Sequence, residues 1–331
     1  MGDAAMTVPV LRAFVLQYPE VKITLVSRAF FKPFFDTIPN VNFFGVDINN
    51  RHKGFLGLIK LFLDLKKLNI DAFADLHNVI RSKTIRILFL LFGKKVAASN
   101  KGRTEKKALT RAENKIFKPL KTMFNVHCDT FKKLGFDIDL NNPTFPKKAI
   151  LSEKIISIIG NKNEKWIGIA PFAQYESKVY PLDLMQQTIN DLSENKNYKI
   201  ILFGGGKKEI EVLDLLSKNN TNIINIAGKI TFQEELDLIS NLDIMLSMDS
   251  GNAHIAAMLG VKVITLWGAT HPFAGFSPFN QPIENALVSD REKHPLLPTS
   301  VYGNKTVIGY EDVMRTILPE RIIDKIEEEL N

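Results

Sequence analysis

The sequence predicts a doubly wound α/β protein with two domains, and three observations support this prediction. A short apolar stretch followed by an amphipathic stretch recurs along most of the chain. The apolar stretches are rich in Ile, Val and Leu and do not alternate with polar residues, which is typical of parallel strands buried on both faces. The chain has 331 residues, more than one hydrophobic core usually supports.

The first half of the chain is predicted to contain four strands and four helices in alternation. The strands are residues 22–27, 41–46, 71–75 and 95–99, and the helices are residues 7–17, 29–37, 54–68 and 79–92. The most apolar run, residues 85–92, is far shorter than the ~20 residues that cross a membrane. We therefore expect it to form part of a buried helix.

The second half repeats the pattern. Its predicted strands are residues 166–170, 199–204, 223–226, 243–247 and 261–267, and its predicted helices are residues 182–195, 208–218, 231–241 and 252–259. Strand–helix alternation implies right-handed crossovers and a parallel sheet. A last helix over residues 310–330 is expected, and in a two-lobed protein it can pack back on the N-terminal domain.

The domain boundary is predicted in residues 137–148, where two prolines and two asparagines mark a linker. This gives an N-terminal domain of residues 1–145 and a C-terminal domain of residues 146–331. A doubly wound domain normally opens with a strand that lies centrally in its sheet. Here the chain opens on Gly2 and Asp3 and continues as a helix, so the first strand of the N-terminal domain is expected to be missing.

Composition excludes some classes of site. A single cysteine, Cys128, rules out a disulfide within the chain and a zinc site built on cysteines. No export signal and no run long enough to span a membrane is visible, so we expect a cytoplasmic protein. The sequence gives no indication of the oligomeric state.

The net charge of +7 is concentrated in residues 94–121, which contain ten basic residues opposed by Glu105 and Glu113 alone. Such a segment fits an anionic partner, either a phosphorylated glycolipid or a membrane surface. A solvated, lysine-rich helix face explains it equally well. Nucleic acid is not expected as a partner, because Phe117 is the only aromatic residue among the basic ones.

A candidate phosphate site follows the predicted strand 243–247. The turn after this strand leads into a helix whose first N–H groups are unpaired and lie at the positive end of the helix dipole. The residues that can line the site are Asp249, Ser250, Gly251, Asn252 and His254, with Thr270 after the next strand. The alternative is that Asp249 or Ser250 only caps the helix and that His254 is structural.

Two other turns of the second half could contribute to the same site. Lys178 lies in a loop after the predicted strand 166–170 and can meet a phosphate as a point charge, unless it is only a solvated loop lysine. Three glycines at residues 204–206 lack the spacing of a dinucleotide or P-loop motif and are weak evidence alone. Phe232, Gln233 and Glu234 are candidates for a nucleoside pocket.

In the N-terminal half, residues 75–82 again join a strand end to a helix. Arg81 there can bind an anionic acceptor, and His77 is a second candidate, although a surface or core histidine is the commoner case. Asp3 stands before the first helix, where a carboxylate can accept a proton from an attacking hydroxyl. No metal site is expected. Asp137 and Asp139 have the spacing of a metal-binding aspartate pair, but this short match lies in the linker and is attributed to chance.

Three segments resemble glycosyltransferase family nine, the ADP-heptose:lipopolysaccharide heptosyltransferases. They are residues 249–257 with residues 266–270, residues 2–11, and residues 75–82, and they occur in the family's order along essentially the whole chain. The resemblance implies a GT-B fold, in which two Rossmann-like domains face a cleft, the N-terminal one binding the acceptor and the C-terminal one the nucleotide sugar.

The resemblance also implies a function and residue roles. The function is inverting transfer, without metal or cofactor, from ADP-L-glycero-D-manno-heptose to a lipopolysaccharide core sugar at the inner face of the cytoplasmic membrane. Asp3 matches the general base and Arg81 faces the acceptor. Lys178, Ser250, Gly251 and His254 match the region that holds the donor diphosphate, and Asp249 orders that turn.

The sequence departs from the family at its start, where the first strand is absent. We therefore expect roughly a dozen further residues upstream, enough for a strand and its turn. Two alternatives remain open: another GT-B enzyme that uses or epimerises a different nucleotide sugar, and a non-catalytic protein that binds phosphorylated sugars.

Overall fold

The structure is a computed structural model that describes residues 1–218 and 220–331. The chain forms two compact units. The first contains Asp3–Gly102 and Lys121–Thr144, and the second contains Arg103–Leu120 and Phe145–Asn331. The sequence had placed residues 103–120 in the N-terminal domain, whereas the structure groups them with the second unit. Over the described ranges, no helix is long and apolar enough to cross a membrane.

Strands and helices alternate as expected through the strand Lys95–Ala98, before the linker of residues 137–148. In chain order they are α1 (Gly2–Gln17), β1 (Ile23–Arg28), β2 (Val41–Val46), α2 (Gly54–Lys66), β3 (Ala72–Asp75), α3 (Ile80–Leu91), β4 (Lys95–Ala98), α4 (Arg103–Thr110) and α5 (Met123–Lys132). Residues 29–34 form a 3-10 helix and not the predicted α-helix, and Pro33 inside it disfavours the α conformation at the preceding residue. The short helices α4 and α5 were not predicted.

The remaining elements belong to the second unit. They are α6 (Glu153–Ile159), β5 (Lys165–Ala170), α7 (Leu182–Glu194), β6 (Tyr198–Leu202), α8 (Lys207–Leu216), β7 (Ile223–Asn225), α9 (Phe232–Ile239), β8 (Ile244–Met248), α10 (Gly251–Met258), β9 (Lys262–Trp267), β10 (Ala286–Val288) and α11 (Pro319–Leu330). The helix predicted over residues 310–330 begins only at Pro319, where proline is favoured because a first-turn N–H has no partner to lose. The short elements α6 and β10 escaped prediction.

The second unit is built on one parallel sheet of six strands in the order β10-β9-β8-β5-β6-β7. The central strands β5 and β8 pair in register from Ile167 opposite Ile244 to Ala170 opposite Ser247. Their side chains are almost wholly buried, as expected for strands covered on both faces. The predicted α/β fold class is therefore confirmed.

The C-terminal helix α11 packs within the second unit. Ile322 and Ile326 are fully buried in the core between the sheet and α7. The hydroxyl of Tyr180 donates to the Ile317 carbonyl just before α11, at 2.6 Å. These contacts place α11 in the core of the second unit.

The first unit has no continuous sheet. β1 pairs with β2 and β3 pairs with β4, both in parallel, and the two pairs remain separate two-stranded sheets within the described residues. The strands of this unit are all parallel and alternate with helices, as the predicted fold class requires. In a doubly wound sheet a central strand joins the two halves, and among the described residues no strand pairs with both β1-β2 and β3-β4.

The apolar run at residues 85–92 is not wholly buried as predicted. Ile85 and Phe89 face the core, with the Phe89 ring 5.0 Å from that of Phe62 on α2. The side chains of Ile87, Leu90 and Leu91 in the same run are exposed. A single helix cannot turn all its faces to one small core, so half of this run lies on the surface.

One carboxyl in the second unit, that of Glu235, is only partly exposed and ionises at a higher pH than an ordinary glutamate. Glu235 lies in the first turn and a half of α9, one residue after the capping pair Thr231 and Glu234. Burial raises the pKa of Glu235 to about 7. Because its ordinary pKa is near 4.5, the folded protein binds a proton here that the unfolded chain releases between about pH 4.5 and pH 7.

This difference predicts a pH-dependent loss of stability. Below about pH 4.5 Glu235 is protonated in both the folded and the unfolded state and does not change the free energy of unfolding. Between about pH 4.5 and pH 7 the free energy of unfolding falls as the pH rises, by up to roughly 3 kcal/mol. Glu235→Gln should remove this fall, as measured by urea unfolding from pH 4.5 to pH 8. The exposed Glu211→Gln is the matched control on α8 and should keep the wild-type profile; an unchanged profile in Glu235→Gln would contradict the prediction.

Candidate functional site

The turn between β8 and α10 has the geometry expected of an anion site. Ser250 occupies the N-cap position but makes no capping hydrogen bond, and its hydroxyl instead lies 3.1 Å from that of Ser247. The Ser250 side chain therefore does not cap the first N–H groups of α10, which begin with those of Gly251 and Asn252. These donors and the helix dipole together favour a negative charge at this position.

Asp249 does not cap the helix either. Its carboxylate is almost buried. Oδ2 accepts a hydrogen bond from the Thr270 hydroxyl at 2.8 Å and forms an ion pair with Lys178 Nζ at 3.0 Å. The alternative that Asp249 or Ser250 serves only as a cap is thus not what the structure shows. The side chain of Asp249 instead joins the ends of three segments that are distant in sequence.

Lys178 is held in place and is not a solvated loop lysine. It ends a short 3-10 turn, Glu176–Lys178, and only 12% of its side chain is exposed. A Cβ atom built on Gly303 would lie 2.4 Å from Lys178 Cδ, and Gly303 has a φ of +84°. Gly303 is therefore required both by the backbone conformation and by the stem of Lys178 that packs on it.

The loops around Lys178 are bound to the end of β9. The Ala269 N–H donates to the Ser177 carbonyl at 3.1 Å, and the N–H groups of Thr299 and Ser300 donate to the Ala269 carbonyl. A Cβ atom on Gly268 would lie 2.4 Å from the same Ser177 oxygen. This close backbone contact holds the Lys178 loop against the end of β9, and so positions the Lys178 ammonium beside Asp249.

The cluster keeps capacity for a ligand. An ammonium carries three donors, and Asp249 accepts one of those on Lys178. His254 lies in the first turn of α10 with its ring buried. The structure thus brings the predicted donor-site residues to the carboxyl end of β8 and β9, the edge where open α/β sheets bind ligands. They are Lys178, Asp249, Ser250, Gly251, Asn252, His254 and Thr270.

Other predicted residues of the second unit have structural partners. The carboxylate of Glu234 accepts from the Thr231 N–H at 2.8 Å and pairs with Lys154 at 3.4 Å, so it stabilises the start of α9. Gln233 donates to Asp237 on the same helix. The glycines at residues 204–206 form a turn in which Gly206 has a φ of +82° and Gly204 leaves no room for a Cβ atom beside Leu213.

In the first unit, the structure brings Asp3 and His77 together. His77 Nε2 lies 3.6 Å from Asp3 Oδ2, and both side chains are largely exposed. Asp3 stands in the first turn of α1, where the helix dipole favours its charge. The buried His127 of α5 lies close enough for Asp3 to oppose the fall of its pKa, which burial lowers to about 4.

The segment of residues 75–82 is organised by a buried carboxylate that sequence reasoning did not single out. Asp75 accepts from the Asn78 N–H at 2.6 Å and from Arg86 at 3.2 Å. Asn78 adopts a φ of +46° and donates to the Ser99 carbonyl. This network sets the start of α3 and leaves Arg81 exposed in its first turn.

Part of the basic segment has a structural role in the second unit. Lys115 Nζ donates to the carbonyls of Leu109, Leu296 and Pro298, and desolvation lowers its pKa to about 8. Lys106 lies over the Phe276 ring at 4.1 Å. The exposed basic side chains that remain are Lys95, Arg103, Lys107, Arg111, Lys118 and Lys121.

Comparison with known sequences places the chain in one family. The sequence profile of glycosyltransferase family 9 (heptosyltransferase) matches residues 58–303. The chain is 24% identical to lipooligosaccharide heptosyltransferase 2 of Campylobacter jejuni subsp. jejuni serotype O:6, over 98% of this chain and 95% of that protein. It is 29% identical to lipopolysaccharide heptosyltransferase 1 of Campylobacter coli, over 81% of each.

Solved structures agree in fold. A glycosyl transferase family 9 structure from Veillonella parvula superimposes with a TM-score of 0.74 at 19% identity, covering 100% of this chain and 94% of that one. The Escherichia coli ADP-heptose lps heptosyltransferase II gives 0.68 at 19% identity, covering 99% and 95%. These structures confirm the GT-B fold, and the profile match over most of the chain confirms the resemblance: the protein belongs to glycosyltransferase family 9, the heptosyltransferases, and is a glycosyltransferase.

Proposed function

We propose that the protein transfers a heptose from ADP-L-glycero-D-manno-heptose to a sugar of a lipopolysaccharide core, with inversion and without a metal ion or cofactor. The observation that carries the proposal is the Lys178–Asp249–Thr270 cluster beside the start of α10. It sets a fixed cation beside helix N–H donors that Ser250 does not cap, a combination that supports diphosphate binding. The Escherichia coli heptosyltransferase WaaC, whose structure is similar with a TM-score of 0.67, was solved with ADP.

The leaving group in this reaction is ADP. As the bond from the sugar to the diphosphate breaks, negative charge grows on the diphosphate oxygens. Lys178 and the first N–H groups of α10 stabilise that charge, because they are already oriented and need no reorganisation. His254 in the first turn of α10 adds a donor. Cationic and dipolar groups of this kind can perform the neutralisation for which other enzymes use a metal ion.

The attacking group is a hydroxyl of the acceptor. In the proposed reaction Asp3 accepts its proton as the oxygen forms the new bond to the anomeric carbon, on the face opposite the leaving diphosphate. A single displacement inverts that carbon. His77 lies next to Asp3 and can orient its carboxylate or the acceptor, and the exposed Arg81 binds an anionic group of the acceptor.

The acceptor we propose is an anionic glycolipid on the inner face of the cytoplasmic membrane. The exposed basic residues of the 94–121 segment provide charge for its phosphate groups. Two other functions remain to be separated by experiment. They are a GT-B enzyme that uses a different nucleotide sugar, as a transferase or an epimerase, and a non-catalytic sugar-phosphate binder.

Nucleotide selectivity tests the donor. ADP at about a hundred times its dissociation constant should add roughly 2.7 kcal/mol to the free energy of unfolding, which raises the melting temperature by several degrees. UDP, GDP and CMP at the same concentration should give a smaller shift. A larger shift with UDP or GDP would leave the fold intact and replace the proposed donor, and no shift with any nucleotide would favour the non-catalytic sugar-phosphate binder.

Lys178→Met tests the diphosphate site. Methionine keeps an unbranched stem on Gly303 but removes the charge, so we expect ADP affinity to fall about tenfold to a hundredfold in calorimetric titration. Asp249 would then be left uncompensated, and the double variant Lys178→Met/Asp249→Asn should recover stability without recovering affinity. Lys196→Ala, an exposed lysine before β6, is the control. Wild-type affinity in Lys178→Met would rule out its role.

Asp3→Asn tests the proton acceptor. The amide keeps the shape of the side chain but has no basicity, so kcat should fall by about a hundredfold to ten-thousandfold while the dissociation constant for ADP stays unchanged. The readout is ADP release in the presence of the acceptor. Asp71→Asn, an exposed aspartate just before β3, is the matched control. Full turnover in Asp3→Asn would assign the base to another group.

A further inference from the structure

The helices α2 and α3 of the first unit are apolar on two opposite faces. One face of each packs into a core cluster made by Leu61, Phe62 and Leu65 of α2 with Ile85 and Phe89 of α3. The opposite faces carry large apolar side chains that are exposed. These are Phe55, Leu56, Ile59 and Leu63 on α2, and Ile80, Ile87, Leu90 and Leu91 on α3, followed by Phe92. We call this set the outer apolar face.

The residues of this face recur at helical spacing. On α2, Phe55, Ile59 and Leu63 follow one another at intervals of four residues, and on α3, Ile80, Ile87 and Leu91 follow at intervals of seven and four. Residues at these spacings form one continuous stripe on a helix. The exposure is large, reaching 71% for Leu56 and 75% for Leu91. Large exposed apolar side chains clustered in this way mark a contact with a partner or a membrane.

Positive charge surrounds the outer apolar face. Lys60, Lys66 and Lys67 lie along the same side of α2, and Lys66 Nζ lies 4.0 Å from the centre of the Phe92 ring. The one acidic side chain of α2, Asp64, is held by Arg51 at 2.8 Å and by His52 at 3.2 Å. Hydrogen bonds from Arg51 and His52 keep the pKa of Asp64 well below its ordinary value. The net charge of the side chains along this part of the face is therefore positive.

We propose that the outer apolar face docks the protein on an anionic lipid bilayer. Leucine, isoleucine and phenylalanine side chains would enter the boundary between headgroups and acyl chains, and the lysines would extend to the lipid phosphates. A second copy of the chain fits less well. A symmetric contact through this face would bring the same lysines of both copies together.

The position of α3 links this surface to the acceptor residues of the same unit. Ile80, at the first turn of α3, is three residues after His77, which lies 3.6 Å from Asp3. A bilayer against the outer apolar face would thus lie beside the group proposed to activate a lipid-linked acceptor. The inference rests on the proposed function for this role, but the lipid contact itself depends only on the surface.

Vesicle sedimentation tests the docking. The full-length protein is mixed with vesicles of phosphatidylethanolamine and phosphatidylglycerol or with vesicles of phosphatidylcholine alone. We expect the wild type to sediment with the anionic vesicles and the double variant Leu56→Glu/Leu91→Glu to bind at least ~tenfold more weakly, because it places carboxylates in the apolar layer. Leu215→Glu, at an exposed leucine of α8, is the matched control and should bind like the wild type.

Three results would overturn the proposal. They are absence of the wild type from the vesicle pellet, equal binding of the double variant and the wild type, and a wild-type dimer in analytical ultracentrifugation that the double variant dissociates. The last result would assign the face to a second copy. The melting temperature of the double variant should match that of the wild type, since both leucines are exposed.

A turnover assay separates this proposal from the proposed function. With an acceptor oligosaccharide that lacks acyl chains, the double variant should transfer at the wild-type rate, whereas transfer to an acceptor embedded in anionic vesicles should fall. If the wild type transfers to neither acceptor but still binds vesicles through this face, the proposed function fails and the docking surface stands. If transfer to embedded acceptor is equal in both proteins, the docking proposal fails.

Discussion

The second unit depends on one ion pair that is almost removed from solvent. Lys178 and Asp249 meet at 3.0 Å with 12% and 9% of their side chains exposed. Desolvating two charges is costly, and such a pair is tolerated only when its geometry is good and further hydrogen bonds satisfy the carboxylate. Thr270 provides that bond, and Gly303 and Gly268 provide the space in which the backbone can approach. The strand ends of β8 and β9 and two loops are thereby held in one arrangement.

The same arrangement keeps the start of α10 open. Asp249, which could have capped the helix, accepts from Lys178 and Thr270 instead, and Ser250 interacts with Ser247. The helix donors therefore remain available at a point where a cation is already fixed. A site with such preoriented donors and a nearby ammonium is suited to a diphosphate that gains charge during a reaction.

Sequence reasoning brought Lys178, Asp249 and Thr270 to one edge of the sheet because the signals for that placement are local. A strand followed by Asp-Ser-Gly and a helix is recognisable within ten residues, and so is the strand end before Thr270. Gly303 and Arg86 were missed because their roles come from contacts that the chain makes only after folding: Gly303 adjoins a lysine far earlier in the sequence, and Arg86 supports a carboxylate behind the turn. The run of residues 85–92 was predicted to be buried, yet half of it is exposed. Apolar composition alone does not distinguish a core helix from one with an apolar outer face.

The segment of residues 103–120 is translated long before most of the second unit to which it belongs. Lys115 donates to the carbonyl of Leu296, 181 residues later in the chain, and the Phe117 ring lies 4.9 Å from that of His271. On the ribosome, this segment emerges long before its partners exist. Domains tend to fold as they are completed from the N-terminus, and contacts between distant residues form late. The second unit therefore assembles around a segment that was made earlier, and these contacts form only after Pro298 has been translated.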